Sequence, residues 1–213
     1  MTRSVCVVAL VVCALLNPPV VAAVNSIGLG IQAATELQPL LMGIVIAVVV
    51  GILLTLPTSS AAICISIGLG GLAGGAAVVG CAAHMIGFAV ASYKDNGISG
   101  VISQGLGTSM LQIPNVLKKP LILLPAVIAS AIVGPIATVG FQLACTATGS
   151  GMGTAGLVGV FGVIEASQDI MNSTQLWTAI ILLMFVLPAI IAWGVAFMMR
   201  RLGWIVAGDM KLP

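Results

Sequence analysis

What most limits the fold of this chain is the placement of its charge. No Asp, Glu, Lys or Arg stands between Glu36 and Lys94, and none between Lys119 and Glu165. Charged residues make up 6% of the sequence and hydrophobic residues 60%, whereas a soluble domain carries about a quarter of its residues as charges. Since a hydrocarbon core is about 30 Å thick and takes about 20 apolar residues per helical crossing, the expected fold class is all-α, a polytopic membrane protein with roughly five to eight transmembrane helices and about six as the central expectation. The spans read from the sequence are Ser4–Val24, Pro39–Leu56, Ser60–Val79, Ala82–Ser92, Gly97–Val116, Leu121–Leu143 and Leu176–Met199.

The same composition excludes whole classes of function. A net charge of +2 is too small to suggest a nucleic-acid partner, and the basic residues sit at segment ends, where they orient membrane helices. The five cysteines form no C-x-x-C pair, and a single histidine without an acidic cluster is unlike a zinc or two-metal hydrolase. No cofactor is expected. Arg3, the apolar run Val5–Leu16 and Val21-Ala22-Ala23 fit either a cleaved signal peptide or a retained first span, and the retained span is preferred. The domain division expected is a leader span with a polar interlude over 1–37, followed by a transmembrane domain over 38–213.

Two segments are poor helices for their hydrophobicity. Gly97–Asn115 mixes four glycines with Gln104, Thr108, Ser109, Gln112 and Asn115; Thr146–Gly162 carries six glycines with Thr148, Ser150 and Thr154. Irregular backbone at membrane depth survives only where protein or a watery cavity shields it from lipid. Both are therefore expected to be Gly-rich re-entrant or discontinuous elements that meet near mid-membrane, where transporters place substrate. As a helix, the first segment would align Gln104, Thr108 and Gln112 on one face. An uncharged polar stripe suits a neutral polyhydroxylated solute better than an ion, although a seam gluing helices together is an equal alternative. Gly70-x-x-x-Gly74 and Gly71-x-x-x-Gly75 are read as helix-packing motifs.

Other motifs have competing readings. Gly151-Met-Gly153-Thr-Ala-Gly156 matches the dinucleotide fingerprint literally, but it follows no strand and precedes no suitably placed acid, so that reading is rejected. Glu165 is either an intramembrane functional carboxylate or a solvated loop acid beside Asp169. His84, inside the apolar stretch Cys81–Phe88, is either a solute or proton contact or an interhelical hydrogen bond. Ser-Ile-Gly-Leu-Gly at 26–30 and again at 66–70 is read as coincidence. Lys118-Lys119 and Arg200-Arg201 with Lys211 are the unbalanced basic groups and predict a cytoplasmic carboxyl terminus, with Glu165 and Asp169 on the far side.

Asn96-Gly97 followed by Gln104-Gly-Leu-Gly-Thr-Ser-Met-Leu-Gln-Ile-Pro-Asn115 resembles the signature of EIIC-like membrane proteins of the bacterial phosphotransferase system, most closely the perfringolysin regulator-type branch. Further matching stretches are Leu56–Ala62, Gly80–Tyr93, Ala129–Ala137, Gly149–Gly159 and the tail from Gly203-Trp204 to Leu212, so the resemblance runs from about Gln38 onward. Family members are typically longer at the amino terminus, and many carry glutamine at the position of His84.

The resemblance implies a permease subunit in the bacterial inner membrane that takes up a sugar-like small molecule as a homo-oligomer within the lipid bilayer. This chain carries no phosphorylatable EIIA histidine or EIIB cysteine domain, so those phosphocarriers would be separate chains, and whether the chain counts as an enzyme stays open. The substrate-binding residues expected are Gln104, Thr108, Gln112, Asn115, Ser150, Thr154, Glu165, His84 and, from the signature, Asn96. The rival readings are a membrane regulator or sensor that kept the fold without transport, and an ion-coupled transporter using Glu165.

Overall fold

The computed structural model describes Ala22 and residues 26–212; the proposed first span, Ser4–Val24, lies almost wholly outside them. Among the described residues the chain is helical, and its one β-type contact is an isolated bridge between Gly71 and Cys145. Residues 26–37 (α1) lead into α2 (Pro39–Thr55), which begins on a proline whose missing N–H costs nothing at a first turn. Pro57 follows its end, and Ser59 caps the short α3 (Ser60–Ser66) by accepting a hydrogen bond from the Ala62 amide.

The centre of the molecule is α4 (Gly71–Ala91), which is buried along nearly its whole length. It is a single helix, where the sequence suggested two spans divided near Gly80. Glycine does not break it there because the backbone of Ala47 in α2 lies where a Gly80 side chain would stand. Two further long apolar helices flank α4. One runs Pro120–Gly140 and includes α7 (Leu124–Pro135); the other runs Ser173–Arg201 and includes α10 (Ser173–Ala179) and α11 (Leu187–Arg201). The latter is the less buried of the two along its apolar stretch, so it is the peripheral one. It widens to a π-helix over Ile180–Val186 just before Pro188, whose ring would collide with a carbonyl one turn back in a regular helix.

Helices α2, α4 and α7 form a tight trio built on small residues. Ala47 meets Gly80 and Gly51 meets His84, so α2 and α4 run parallel; Gly43 meets Thr138 and Ala47 meets Gly134, so α7 runs against them. Thr138 fastens the trio by donating its hydroxyl to the Pro39 carbonyl at 2.7 Å. The main apolar cluster fills the other side of α4 with Val78, Val133, Leu143, Val163, Leu183 and Met184 among others.

The remaining elements are short: α5 (Tyr93–Ile102), α6 (Ile113–Lys118), α8 (Ala147–Ser150) and α9 (Val158–Ser167). They build two chain reversals. The Gly71/Gly75 motif receives one of them instead of a helix: the Cys145 amide donates to the Gly71 carbonyl at 3.1 Å, and the Leu143 carbonyl occupies the space above Gly75. The repeated pentapeptide adopts two conformations, helical at 26–30 and a helix end with a turn at 66–70, and the copies touch through Gly28 and Ile67.

Candidate functional site

Two hairpins enter the bundle from opposite ends. The first, residues 93–118, leaves the end of α4, turns through a π-helical segment (Ser103–Gly107), an extended Thr108 and a 3-10 turn (Ser109–Gln112), and returns along α6. The second, residues 141–167, starts beside Gly71 at the other end of α4, passes through α8 and the 3-10 turn Ala155–Leu157, and returns along α9. The tips meet where Thr154 Oγ1 donates to the Gly105 carbonyl at 2.6 Å, with Met85 Sδ at 3.5 Å. Met85 is about 20 Å along a helix about 31 Å long, at 1.5 Å per residue. The expected meeting of two irregular, glycine-rich segments is what the fold contains. Leu157, at the second tip, holds a left-handed φ of 62°, a conformation that costs a non-glycine residue about 1–3 kcal/mol.

Beside the junction lies a buried polar cluster. Thr55 Oγ1, at the end of α2, stands 3.0 Å from His84 Nδ1, 3.2 Å from Ser109 Oγ and 3.2 Å from the Gly51 carbonyl. All three side chains are fully or nearly fully enclosed. His84 Nε2 is buried without a hydrogen-bond partner. The ring fits because position 51 is glycine: a Cβ there would fall 2.5 Å from His84 Cδ2. With the single Thr55 proton on the Gly51 carbonyl, Thr55 accepts from Nδ1–H and Nε2 presents a lone pair; in the other tautomer Nε2 presents an N–H. In both states one hydrogen-bonding position of the imidazole stays open, and leaving it so costs about 1–3 kcal/mol.

The amides of the first hairpin form a different structure. Gln104 Nε2 donates to Ser92 Oγ at 2.8 Å and to the Gly100 carbonyl at 3.0 Å, while its Oε1 accepts from Gln112 Nε2 at 2.9 Å. Gln112 Nε2 also reaches the Met210 carbonyl at 3.0 Å, and Asn115 Nδ2 bridges Gln112 Oε1 and the Lys211 carbonyl, both at 2.9 Å. Asn96 grips the same tail from the other side, donating to the Met210 carbonyl at 2.7 Å and accepting from the Leu212 amide at 2.8 Å. Gln104 and Gln112 thus meet across a chain reversal and not along a helical face. Thr108 falls out of that alignment, its extended backbone turning its hydroxyl to the Met110 amide. In this conformation the chain itself takes up the hydrogen-bonding capacity of Gln104 and Gln112.

The other expected residues are scattered. Ser150 is buried and donates to the Ala147 carbonyl within its own turn. Glu165 is exposed on α9. Two residues before Ser167, which pairs with Ala144, it lies at the end of the molecule where α4 begins. Thr55 and Ser109 join the site although sequence reasoning did not assign them. The signal for Thr55 was a hydroxyl closing an otherwise apolar helix, and for Ser109 its place in the polar segment.

Electrostatically the two ends differ. Arg200 pairs with Asp95 at 2.8 Å and caps the Ala91 carbonyl at 3.1 Å, and Lys119 pairs with Asp209 at 2.6 Å. Lys94, Lys118, Arg201 and Lys211 adjoin these pairs in sequence, so the basic residues among those described gather at one end. The Lys119 ammonium, helped by the Val206 amide, holds the Asp209 carboxyl below its ordinary range.

A helical membrane protein whose opposed, discontinuous hairpins meet around buried hydroxyls and an imidazole has the architecture of a transport protein. The chain belongs to the family described as phosphotransferase system, EIIC, whose profile matches residues 2–212 and so takes in the stretch ahead of Gln38. It is a membrane-embedded permease component of that system. No curated protein and no solved structure matches it.

Proposed function

We propose that this EIIC chain binds and translocates a neutral sugar-like solute at the junction of the hairpin tips, and that separate EIIA- and EIIB-type chains couple uptake to phosphorylation. His84, Thr55, Ser109 and Thr154 supply the contacts, with Thr108 beside them on the first tip and Ser150 behind the second. Gln104, Gln112, Asn115 and Asn96 act one step back, holding the first hairpin in place. The observation that carries this reading is the buried, unpartnered His84 Nε2, on a ring whose other nitrogen stands 3.0 Å from the Thr55 hydroxyl. A sugar hydroxyl both donates and accepts, so it satisfies that nitrogen in either tautomer. Every group named at the junction is uncharged, which fits a neutral solute. On this reading Glu165, exposed on α9, is not a solute contact.

The test is solute binding and phosphoenolpyruvate-dependent uptake in vesicles supplied with EIIA and EIIB. His84→Ala is expected to weaken binding by about 1–3 kcal/mol, the scale for a lost buried hydrogen-bond partner. His84→Gln, which keeps a polar end, should retain more. Unchanged affinity and uptake in folded His84→Ala protein would remove the site from the junction.

The basic end is proposed to face the cytoplasm, following the bias of Lys and Arg toward that side. Cysteines introduced at Lys118 and Arg201 should resist an impermeant thiol reagent in intact cells. Labelling of either from outside would invert the topology.

A further inference from the structure

Where α4 passes into α5, a groove of about 310 Å³ opens between this corner and α11. Val90, Val101, Trp193 and Phe197 give it an apolar floor, and Lys94 and Arg200 stand at its mouth. Trp193 stacks on Phe197 at 5.6 Å between ring centroids, and the Arg201 guanidinium lies 4.7 Å over the Phe197 ring. Asp95 neutralises Arg200, whereas Lys94 and Arg201 have no ion-pair partner among the described residues. Three cations against one carboxylate leave the corner two charges positive.

We infer that this groove is a binding site for an anionic phospholipid, its acyl chain on the Trp193–Phe197 face and its phosphate at Lys94, with Arg201 adding its charge from its place over the Phe197 ring. The groove is graded along the membrane normal as such a molecule is. The aromatic floor lies below, within the span of α11, and the cations lie above, at the helix ends where headgroups sit. A zwitterionic lipid would fill the apolar part but leave the surplus charge unmatched. A second copy of this chain packed symmetrically would bring its own surplus cations against these, which is unfavourable.

The fluorescence of Trp193 reads the occupancy directly. In a Trp177→Phe, Trp204→Phe background it is the one indole left of three. The purified full chain is titrated in mixed micelles with phosphatidylglycerol or phosphatidylcholine, each brominated on its acyl chains. Half-quenching is expected at about thirtyfold lower mole fraction of the anionic lipid, the scale of two cations near a bilayer surface. The Lys94→Gln, Arg201→Gln pair should erase that preference while quenching by phosphatidylcholine persists, which reports an intact groove. Lys118→Gln, outside the groove, should keep the preference. Equal quenching by the two lipids, a preference that survives the paired substitution, or shielding of Trp193 that grows with protein concentration would each overturn the assignment, the last in favour of a second copy of the chain.

Discussion

The hairpin of residues 93–118 is cross-linked by side-chain amides, whereas the hairpin of residues 141–167 packs largely through the absence of side chains, with Ser167 closing its base on Ala144. In the first, Gln104, Gln112 and Asn115 cross-link strands of backbone that have left the helical pattern and tie them to Met210 and Lys211. In the second, glycines let backbone lie on backbone. A Cβ on Gly149 would fall 3.0 Å from Gly162 Cα, and one on Gly151 would fall 2.6 Å from the Ser60 carbonyl oxygen. Both devices answer the same demand, that irregular backbone at membrane depth be shielded and satisfied. They differ in how they fail, since an amide network loses one bond at a time and a glycine contact is all or none.

The sharpest way to break the comparison is at Gly153. It holds a left-handed φ of 56°, and a side chain there would meet Ala82 N at 2.7 Å and Cys81 Cβ at 2.8 Å, both on the central helix. Gly153→Ala should cost several kcal/mol, because the strain of an L-residue at positive φ adds to a backbone collision. The expected result is loss of monodisperse folded protein in detergent; near-normal thermal stability would show that the second hairpin yields like the first. Gln112→Ala comes next, at about 1–3 kcal/mol, leaving Gln104 Oε1 without its donor and the Met210 carbonyl with Asn96 alone. Thermal unfolding should shift down, with faster proteolysis beyond Gly203 while the core persists. A tail that stays protected would show that the amides are not what holds it.

The smallest effect expected is at the rim. Because Lys119 and the Val206 amide lower the Asp209 pKa, their stabilisation is complete above the unfolded-state value of about 3.9 and is lost as pH falls through the lower, folded value. Asp209 is partly solvated, so the loss is modest. Tail protection from protease should decline at the acid edge of a pH series, and Asp209→Asn should flatten that part of the curve. An unchanged acid response in Asp209→Asn would place the titration elsewhere.

Much of this comparison was readable in the residues. Charge deserts mark the spans, and glycine mixed with amides and hydroxyls marks the two segments that cannot be ordinary membrane helices. Partners distant in sequence were not readable. Thr55 reaches His84 across 29 residues, and Asn96 reaches Leu212 across 116, and neither separation leaves a periodic trace. Gly80 suggested a break because glycine is a weak helix former on its own; the close approach of α2 makes it a contact point instead. The sequence suggested a shared helical face for Gln104 and Gln112; their bond arises instead from a reversal, which Gly105, Gly107 and the extended Thr108 permit.

The grip of Asn96, Gln112 and Asn115 on Met210, Lys211 and Leu212 also orders events during synthesis. The ribosome makes the first hairpin roughly a hundred residues before the segment that clamps it, and the chain grows at about 5–20 residues per second. For those seconds three amides at the basic end face lipid headgroups and water instead of the tail. The nascent chain is therefore assembled around an unlatched corner, and the bonds to Met210, Lys211 and Leu212 form only after Leu212 has cleared the exit tunnel.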